Sequence, residues 1–407
     1  MKGNKVHKMK HRSKTFISVI LFLMLIQFSS IGQTLVRQIK PSDTDLMIQT
    51  FDLDSHYVYF NPNSATQSKL VVHLPGSYGE PKRATIFGAL AAELGFHSIG
   101  LMYPNIPTVG SFCTNSNDPN CFEKTRGEII EGIDYSNAID IPMHESIFSR
   151  LRYLLMFLNV NYPGEGWGQY LTVNNELNFP KIIFSGHSQG GGHAALIAKY
   201  YPIDRALCFS SPKDWYNPSN APANWLTSTN WMISPSKIYC FNHELDEQDR
   251  QLEIWNAMGM NAVGAPLSVD QFGTPYQYTR QLITTYSVPV GDEHASTIQD
   301  NKTPKVNGEA VFIPVWTYML TNTDVNELLS QKENEIYIAP NPVLDVLEVR
   351  FENYIFDLFL KDQFGKTLLI KENNQGVAIF NFATIPSGIY YIEIHTDRGV
   401  MTKKLIK

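Results

Sequence analysis

Apolar and polar positions alternate between two rhythms along this chain. From about residue 56 to 320, short apolar runs are separated by longer stretches with helical spacing. "SKLVVHL", "HSIGLMYPN", "KIIFS", "RALCFS" and "KIYCFN" read as strands. "ATIFGALAAELGF", "ESIFSRLRYLLMFLNV", "GGHAALIAKYY" and "DRQLEIWNAMGM" read as helices, and in the second of these Arg150 and Arg152 fall off the apolar face. Strands that alternate with helices predict a mostly parallel sheet covered by helices on both faces. From Glu335 the rhythm changes. "VLEVRF", "YIFDLFLKD", "KTLLIKE", "VAIFNF", "IYYIEIHT" and "VMTKKLIK" are short β-like segments separated by turns, which predicts a small all-β sandwich.

Three further stretches break the pattern. The first is "FISVILFLMLIQF", preceded by Lys2, Lys5, Lys8, Lys10, Arg12 and Lys14 and followed by "SSIG". A basic start, a short apolar run and a small-residue exit form a secretory signal peptide, expected over 1–32. A membrane anchor would need about 20 apolar residues. The second break, about 212–236, is rich in Pro, Asn, Ser and Trp. Trp215, Trp225 and Trp231 predict a packed, cap-like insertion in the domain spanning 33–320. The third break is the polar linker "TNTDVNELLSQKEN", taken as 321–334, ahead of the β domain at 335–407.

Composition sharpens this picture. The 407 residues are 43% hydrophobic with a formal charge of −6, and removal of the six basic residues of the leader takes that to −12. No basic surface points to nucleic acid. Export permits disulfides. Among four cysteines, Cys113 and Cys121 flank the polar loop "TNSNDPN" and can close a small ring. Cys208 and Cys240 lie in apolar runs and read as buried thiols. No Cys/His spacing suggests a metal, and no cofactor is expected.

The chemistry concentrates in "IIFSGHSQGGGHAAL", Ile182 to Leu196. Gly186, Ser188 and Gly190 satisfy G-x-S-x-G between a strand and a helix, the setting that holds a serine hydroxyl on a strained turn above a helix N-terminus. "GHSQGGG" does not supply a dinucleotide-binding G-x-G-x-x-G. Serine needs a base, and after such an elbow the acid and then the histidine follow in chain order. Of eleven histidines, two lie in the leader, six precede or adjoin Ser188, His243 precedes the best acid, and His395 belongs to the tail. His294, in "VPVGDEHAST", remains. Asp246, in "KIYCFNHELDEQ", is the expected acid, and Asp214, after "CFSSPK", is the alternative. The oxyanion donors are expected to be the N–H of Gln189 and an N–H from "VVHLPGSYG", where Gly76 lets the backbone approach and Ser77 or Tyr78 supplies the donor.

Taken together, "HLPGS", "GHSQGG", "HELD" and "GDEH" resemble the α/β-hydrolase superfamily over about residues 56–320. "CTNSNDPNCFEKTRGEIIEG" followed by "GHSQGGGHAA" is similar to a branch of secreted hydrolases. The resemblance implies hydrolysis of an ester or related acyl bond, with no particular substrate. The tail, through "APNPVLDVLEV", "KDQFGKTLL", "IPSGIYYIEI" and the final "KKLIK", resembles the C-terminal sorting domain of the type IX secretion system of Bacteroidetes. That implies engagement of the secretion machinery and a secreted or cell-surface destination. The expectation is a secreted serine hydrolase acting on a small-molecule or polymer-borne ester. The alternatives are an amidase or peptidase with the same triad, or a surface binding protein on an inactive hydrolase scaffold.

Overall fold

The computed structural model describes residues 34–321 and 337–407, apart from 107, 228, 247–249 and 397–398. The expected signal peptide and the linker from 322 onward lie outside the described residues.

The N-terminal part is built on a nine-stranded sheet. Its strands are β1 (Leu35–Ile39), β2 (His56–Phe60), β3 (Leu70–Leu74), β4 (His97–Gly100), β5 (Ile182–His187), β6 (Arg205–Phe209), β7 (Ile238–His243), β8 (Leu267–Ser268) and β9 (Gln281–Thr284). Their spatial order is β1-β2-β4-β3-β5-β6-β7-β9-β8. β1 and β2 pair antiparallel, as do β2 and β4. The pairs from β4 across to β8 are parallel.

Alternation along the central strands explains why they read as continuous apolar runs. Val72, Phe184, Cys208 and Cys240 point into one core cluster, with Leu151, Ile197 and Trp255. Their neighbours Val71, Ile183, Leu207 and Tyr239 point into the other, with Phe87, Val315 and Trp316. Successive side chains leave opposite faces of a strand, so a strand covered on both faces needs apolar residues at every position. The first face is covered by α2 (Cys121–Glu131), α3 (Ile147–Asn161), α4 (Gln189–Tyr200) and α5 (Gln251–Ala257). The second is covered by α1 (Thr85–Glu93) and α7 (Ile313–Thr321); the short α6 (Glu293–Ser296) precedes α7.

The structure corrects one helical reading. Arg150 of α3 is fully buried rather than turned to solvent. Its guanidinium donates to Glu145 Oε2 at 2.5 Å and to the carbonyl oxygens of Phe51, Asp52 and Met102. A buried guanidinium must meet acceptors on most of its N–H groups, and the loop carbonyls ahead of β2 and after β4 provide them.

The C-terminal part is a five-stranded antiparallel sheet of β10 (Tyr337–Ala339), β11 (Val346–Asp362), β12 (Thr367–Asn381), β13 (Ile389–Thr396) and β14 (Gly399–Ile406). β11 curls through three register shifts against β12, and its inner face closes over Leu347, Val349, Phe356, Leu358, Leu360, Phe380 and Ile392.

Candidate active site

Ser188 stands between β5 and α4 with φ 53° and ψ −117°. A non-glycine residue there is strained by about 1–3 kcal/mol, so its surroundings must over-determine it. The Ser188 N–H donates to Phe209 O at 2.9 Å, and its carbonyl accepts from Gly192 N at 3.1 Å. The glycines are required by proximity. A Cβ at Gly190 would stand 2.1 Å from Leu74 O, and one at Gly76 would stand 3.1 Å from Ser188 Cβ and 3.0 Å from His187 Nδ1. The loop after β3 therefore lies directly against the elbow. Gln189 ties the two together, since its Oε1 accepts from Ser77 Oγ at 2.9 Å and from Val109 N at 3.0 Å. Tyr103 donates to Pro75 O at 2.7 Å and Asn105 Nδ2 to Gly79 O at 2.8 Å, which hold the outer side of that loop. Tyr78, the other donor considered, sits at φ 55° with its side chain exposed.

His294 lies on α6. Its backbone carbonyl accepts from His187 Nε2 at 2.9 Å and from Ser210 Oγ at 2.8 Å, and its ring centroid is 4.8 Å from that of His187. His294 is thus fastened to the residue that precedes the elbow serine. Burial pushes His187 well below the usual histidine range, so it stays neutral and serves as an N–H donor. His294 Nδ1 lies 2.7 Å from Asp246 Oδ2. Asp246 follows β7, and its N–H donates to His243 O at 3.0 Å. Its fully buried carboxylate also accepts from Gln251 Nε2 at 3.2 Å. His243 shapes the approach to it, accepting from Leu245 N on Nδ1 at 3.0 Å and donating from Nε2 to Tyr286 O at 3.0 Å.

Asp214 has different partners. It accepts from Arg126 Nε at 2.7 Å, from Arg126 Nη2 at 2.5 Å and from Trp225 Nε1 at 2.9 Å. The same guanidinium donates from Nη1 to Gln189 O at 2.9 Å. Asp214 therefore fixes Arg126, and Arg126 fixes the first peptide of α4. Cys113 and Cys121 are joined by a disulfide just ahead of that arginine, and Cys208 and Cys240 are buried free thiols.

Two contributors escaped sequence reasoning. Arg126 sits in the amphipathic text of "EKTRGEII", where nothing marks it as different from a surface charge. Lys213 brings Nζ to 3.2 Å from His294 Nδ1 and 3.5 Å from Asp246 Oδ1. The tryptophans of the insertion pack against the core, with Trp231 only partly buried. Trp215 and Trp225 are buried in the core, and the Trp215 ring lies beneath the Arg250 guanidinium at 4.1 Å. Among the described residues no group of three His, Cys, Asp or Glu side chains is arranged to hold a metal, and no helix is long and apolar enough to cross a membrane.

Residues 336–407 match the family described as the secretion system C-terminal sorting domain. This part of the chain is a type IX secretion sorting domain, and it directs the protein to the cell surface or outside the cell. No curated protein matches the chain. Two solved structures are similar over short stretches. One is PorZ, an essential surface component of the type IX secretion system of Porphyromonas gingivalis, at 15% identity and a TM-score of 0.18, covering 19% of this chain and 12% of that one. The other is a DUF3244 protein of Bacteroides vulgatus with an immunoglobulin-like β-sandwich, at 14% identity and a TM-score of 0.17, covering 18% of this chain and 87% of that one.

Proposed function

We propose that this exported chain, delivered by its type IX sorting domain, is a serine hydrolase of the α/β-hydrolase superfamily that cleaves an ester or related acyl bond. The observation that carries the reading is the conjunction of a strained serine at a strand-to-helix junction with a histidine–aspartate pair anchored on the same strand end. Strand order supports it too: the one reversed strand inside the sheet is β2, and the nucleophile strand β5 lies near the middle.

In this reading Ser188 Oγ attacks the acyl carbon while His294 Nε2 takes the hydroxyl proton. Asp246 holds the Nδ1–H tautomer and stabilises the imidazolium that forms. The N–H of Gln189 and that of Ser77, given room by Gly76, receive the negative oxygen. Collapse of the adduct breaks the bond to the leaving alcohol, which takes the proton from His294. Water then surrenders a proton to the same imidazole and attacks the acyl-enzyme, and collapse of that adduct releases the acid while His294 returns the proton to Ser188 Oγ. Arg126 contributes by holding Gln189 O, which keeps the adjoining peptides of the first turn from rotating.

The test uses the exported protein with a fluorophosphonate probe and p-nitrophenyl butyrate. Labelling and turnover are expected in the natural sequence and lost in Ser188→Ala and His294→Gln. Folded natural protein that neither labels nor turns over ester would overturn the proposal and leave a binding protein on this scaffold.

A further inference from the structure

The helix that begins at the elbow ends beside a cavity that the hydrolase reading does not use. α4 runs 12 residues to Tyr200, which puts its last turn about 18 Å from Ser188. There α2, α4 and the segment after α2 line a space of about 260 Å³. Its floor is Ile130, Leu196 and Ile197, all buried. Its walls are the phenol rings of Tyr135, Tyr200 and Tyr201 with the carboxylates of Glu123 and Glu131.

These walls are tied to one another. Glu131 accepts from Tyr135 OH on Oε2 and from Tyr201 OH on Oε1, both at 2.7 Å, and Tyr200 OH donates to Glu123 Oε1. The Tyr135 N–H donates to Glu128 Oε2 at 3.2 Å, and its ring lies over Gly127, where a Cβ would stand 3.2 Å from Tyr135 Cδ2. The Tyr201 ring is backed by Phe148 and Phe179, with centroids at 4.9 and 4.6 Å. A phenol hydrogen satisfies a carboxylate oxygen but leaves its negative charge in place. Two neighbouring lysines are engaged elsewhere. Lys124 turns to Asp118 Oδ2 at 2.7 Å. Lys199, whose charge still acts on Glu123, donates to Trp225 O.

We propose that this cavity binds a small quaternary ammonium cation, with the trimethylammonium head among the tyrosine rings and any apolar substituent on the Ile130–Leu196–Ile197 floor. An anionic ligand would meet two like charges. A primary ammonium would surrender a tight hydration shell to walls made largely of ring carbon. A quaternary head is weakly hydrated and has no hydrogen to donate, so aromatic rings together with carboxylate charge suit it. The inference is independent of the Ser188 chemistry.

The experiment titrates the full chain by calorimetry with choline, with benzyltrimethylammonium, and with 3,3-dimethylbutan-1-ol, which carries carbon in place of the choline nitrogen. Benzyltrimethylammonium is expected to bind with a dissociation constant of roughly 0.1–1 mM, choline more weakly, and the alcohol at least about tenfold more weakly than choline. Glu131→Gln, which keeps an acceptor for a phenol, and Tyr200→Leu each weaken the cations by about tenfold, with folding checked by circular dichroism. No saturable binding of either cation overturns the inference. So does an alcohol that binds as tightly as choline, which marks a merely apolar hole. Cation binding unchanged in both variants overturns it as well, because the cation then sits elsewhere. Flotation with phosphatidylcholine and phosphatidylglycerol vesicles separates the sources of the head group. Co-flotation with phosphatidylcholine alone, lost in Glu131→Gln, upholds the site for a lipid head group, and binding of free choline without co-flotation upholds it for a free cation. Ester turnover in Glu131→Gln stays at the natural level, so failure of either reading leaves the other standing.

Discussion

Asp246 and Asp214 both follow strands on the same edge of the elbow, and their amide variants separate orientation from support. In Asp214→Asn the carboxylate that binds Arg126 through two nitrogens is lost, while the guanidinium stays 4% exposed with its charge unbalanced. Breaking a buried pair from one side costs about 3–5 kcal/mol. At about 2–4 °C per kcal/mol for a domain of this class, the melting temperature falls by roughly 6–20 °C. Turnover per folded molecule drops only several-fold, through a looser Gln189 peptide. Asp246→Asn keeps the shape of the group 2.7 Å from His294 Nδ1 but removes its charge and its preference for the Nδ1–H tautomer. A loss of about 10³–10⁴ in kcat follows from that role, with a smaller change in melting temperature than Asp214→Asn. The assay is p-nitrophenyl butyrate hydrolysis at pH 8, divided by the folded fraction from circular dichroism on the same samples. The reasoning is refuted if Asp214→Asn loses catalysis at an unchanged melting temperature while Asp246→Asn stays active.

Two more variants address the frame. His56 and His73 are both fully buried, and burial depresses each to about 3. The unfolded chain takes up a proton near 6.5 that the folded chain refuses until about 3, so this stability is present above pH 6.5 and is lost as pH falls, by up to about 1.4 kcal/mol per pH unit per histidine. Urea unfolding at pH 7, 5.5 and 4.5 should show that slope, and His73→Gln should flatten it by about one histidine's share. Replacing both Cys113 and Cys121 by Ser opens a loop with a sequence separation of 8 and is expected to cost about 2–3 kcal/mol by loop entropy. Differential scanning calorimetry reads this as a fall of roughly 4–12 °C, with ester turnover kept within a few-fold.

What was legible in the sequence follows from how strongly burial constrains each segment. β3, β5, β6 and β7 are buried at every position because helices cover both faces, and the apolar runs this imposes on most of their length stand out without any partner information. β1, "LVRQI", exposes most of its residues at the sheet edge, and β9, "QLIT", offers only two apolar side chains. Neither carries a pattern distinct from loop text. Ser188 was marked by glycines whose spacing reflects contacts within a few residues, which is local information. The histidine and the acid were reached by chain order. The bonds that join them, and the Arg126–Asp214 pair across 88 positions, depend on how distant loops converge. No periodicity encodes that convergence, and the same holds for Arg150, whose acceptors are loop carbonyls rather than a neighbouring turn.

The insertion between β6 and β7 gains a function from this geometry that its composition did not suggest. A serine at positive φ is held only if the first turn of the following helix cannot relax, and that turn offers few side chains to hold it, being Gln189 followed by three glycines. Those glycines are demanded by contacts on all sides, since a Cβ at Gly190 would meet Leu74 O and one at Gly192 would stand 2.4 Å from the Arg126 guanidinium. The turn must therefore be gripped from outside. Gln189 grips one side by its amide oxygen on the loop after β3, and Arg126 grips the other through Gln189 O. Arg126 can do so only because Asp214 orients it, and Asp214 is in turn fixed by Trp225 Nε1 and by its own carbonyl, which accepts from Ala223 N at 2.9 Å. The buried tryptophans thus back the elbow from behind, and on the proposed hydrolase reading they take no part in selecting a substrate.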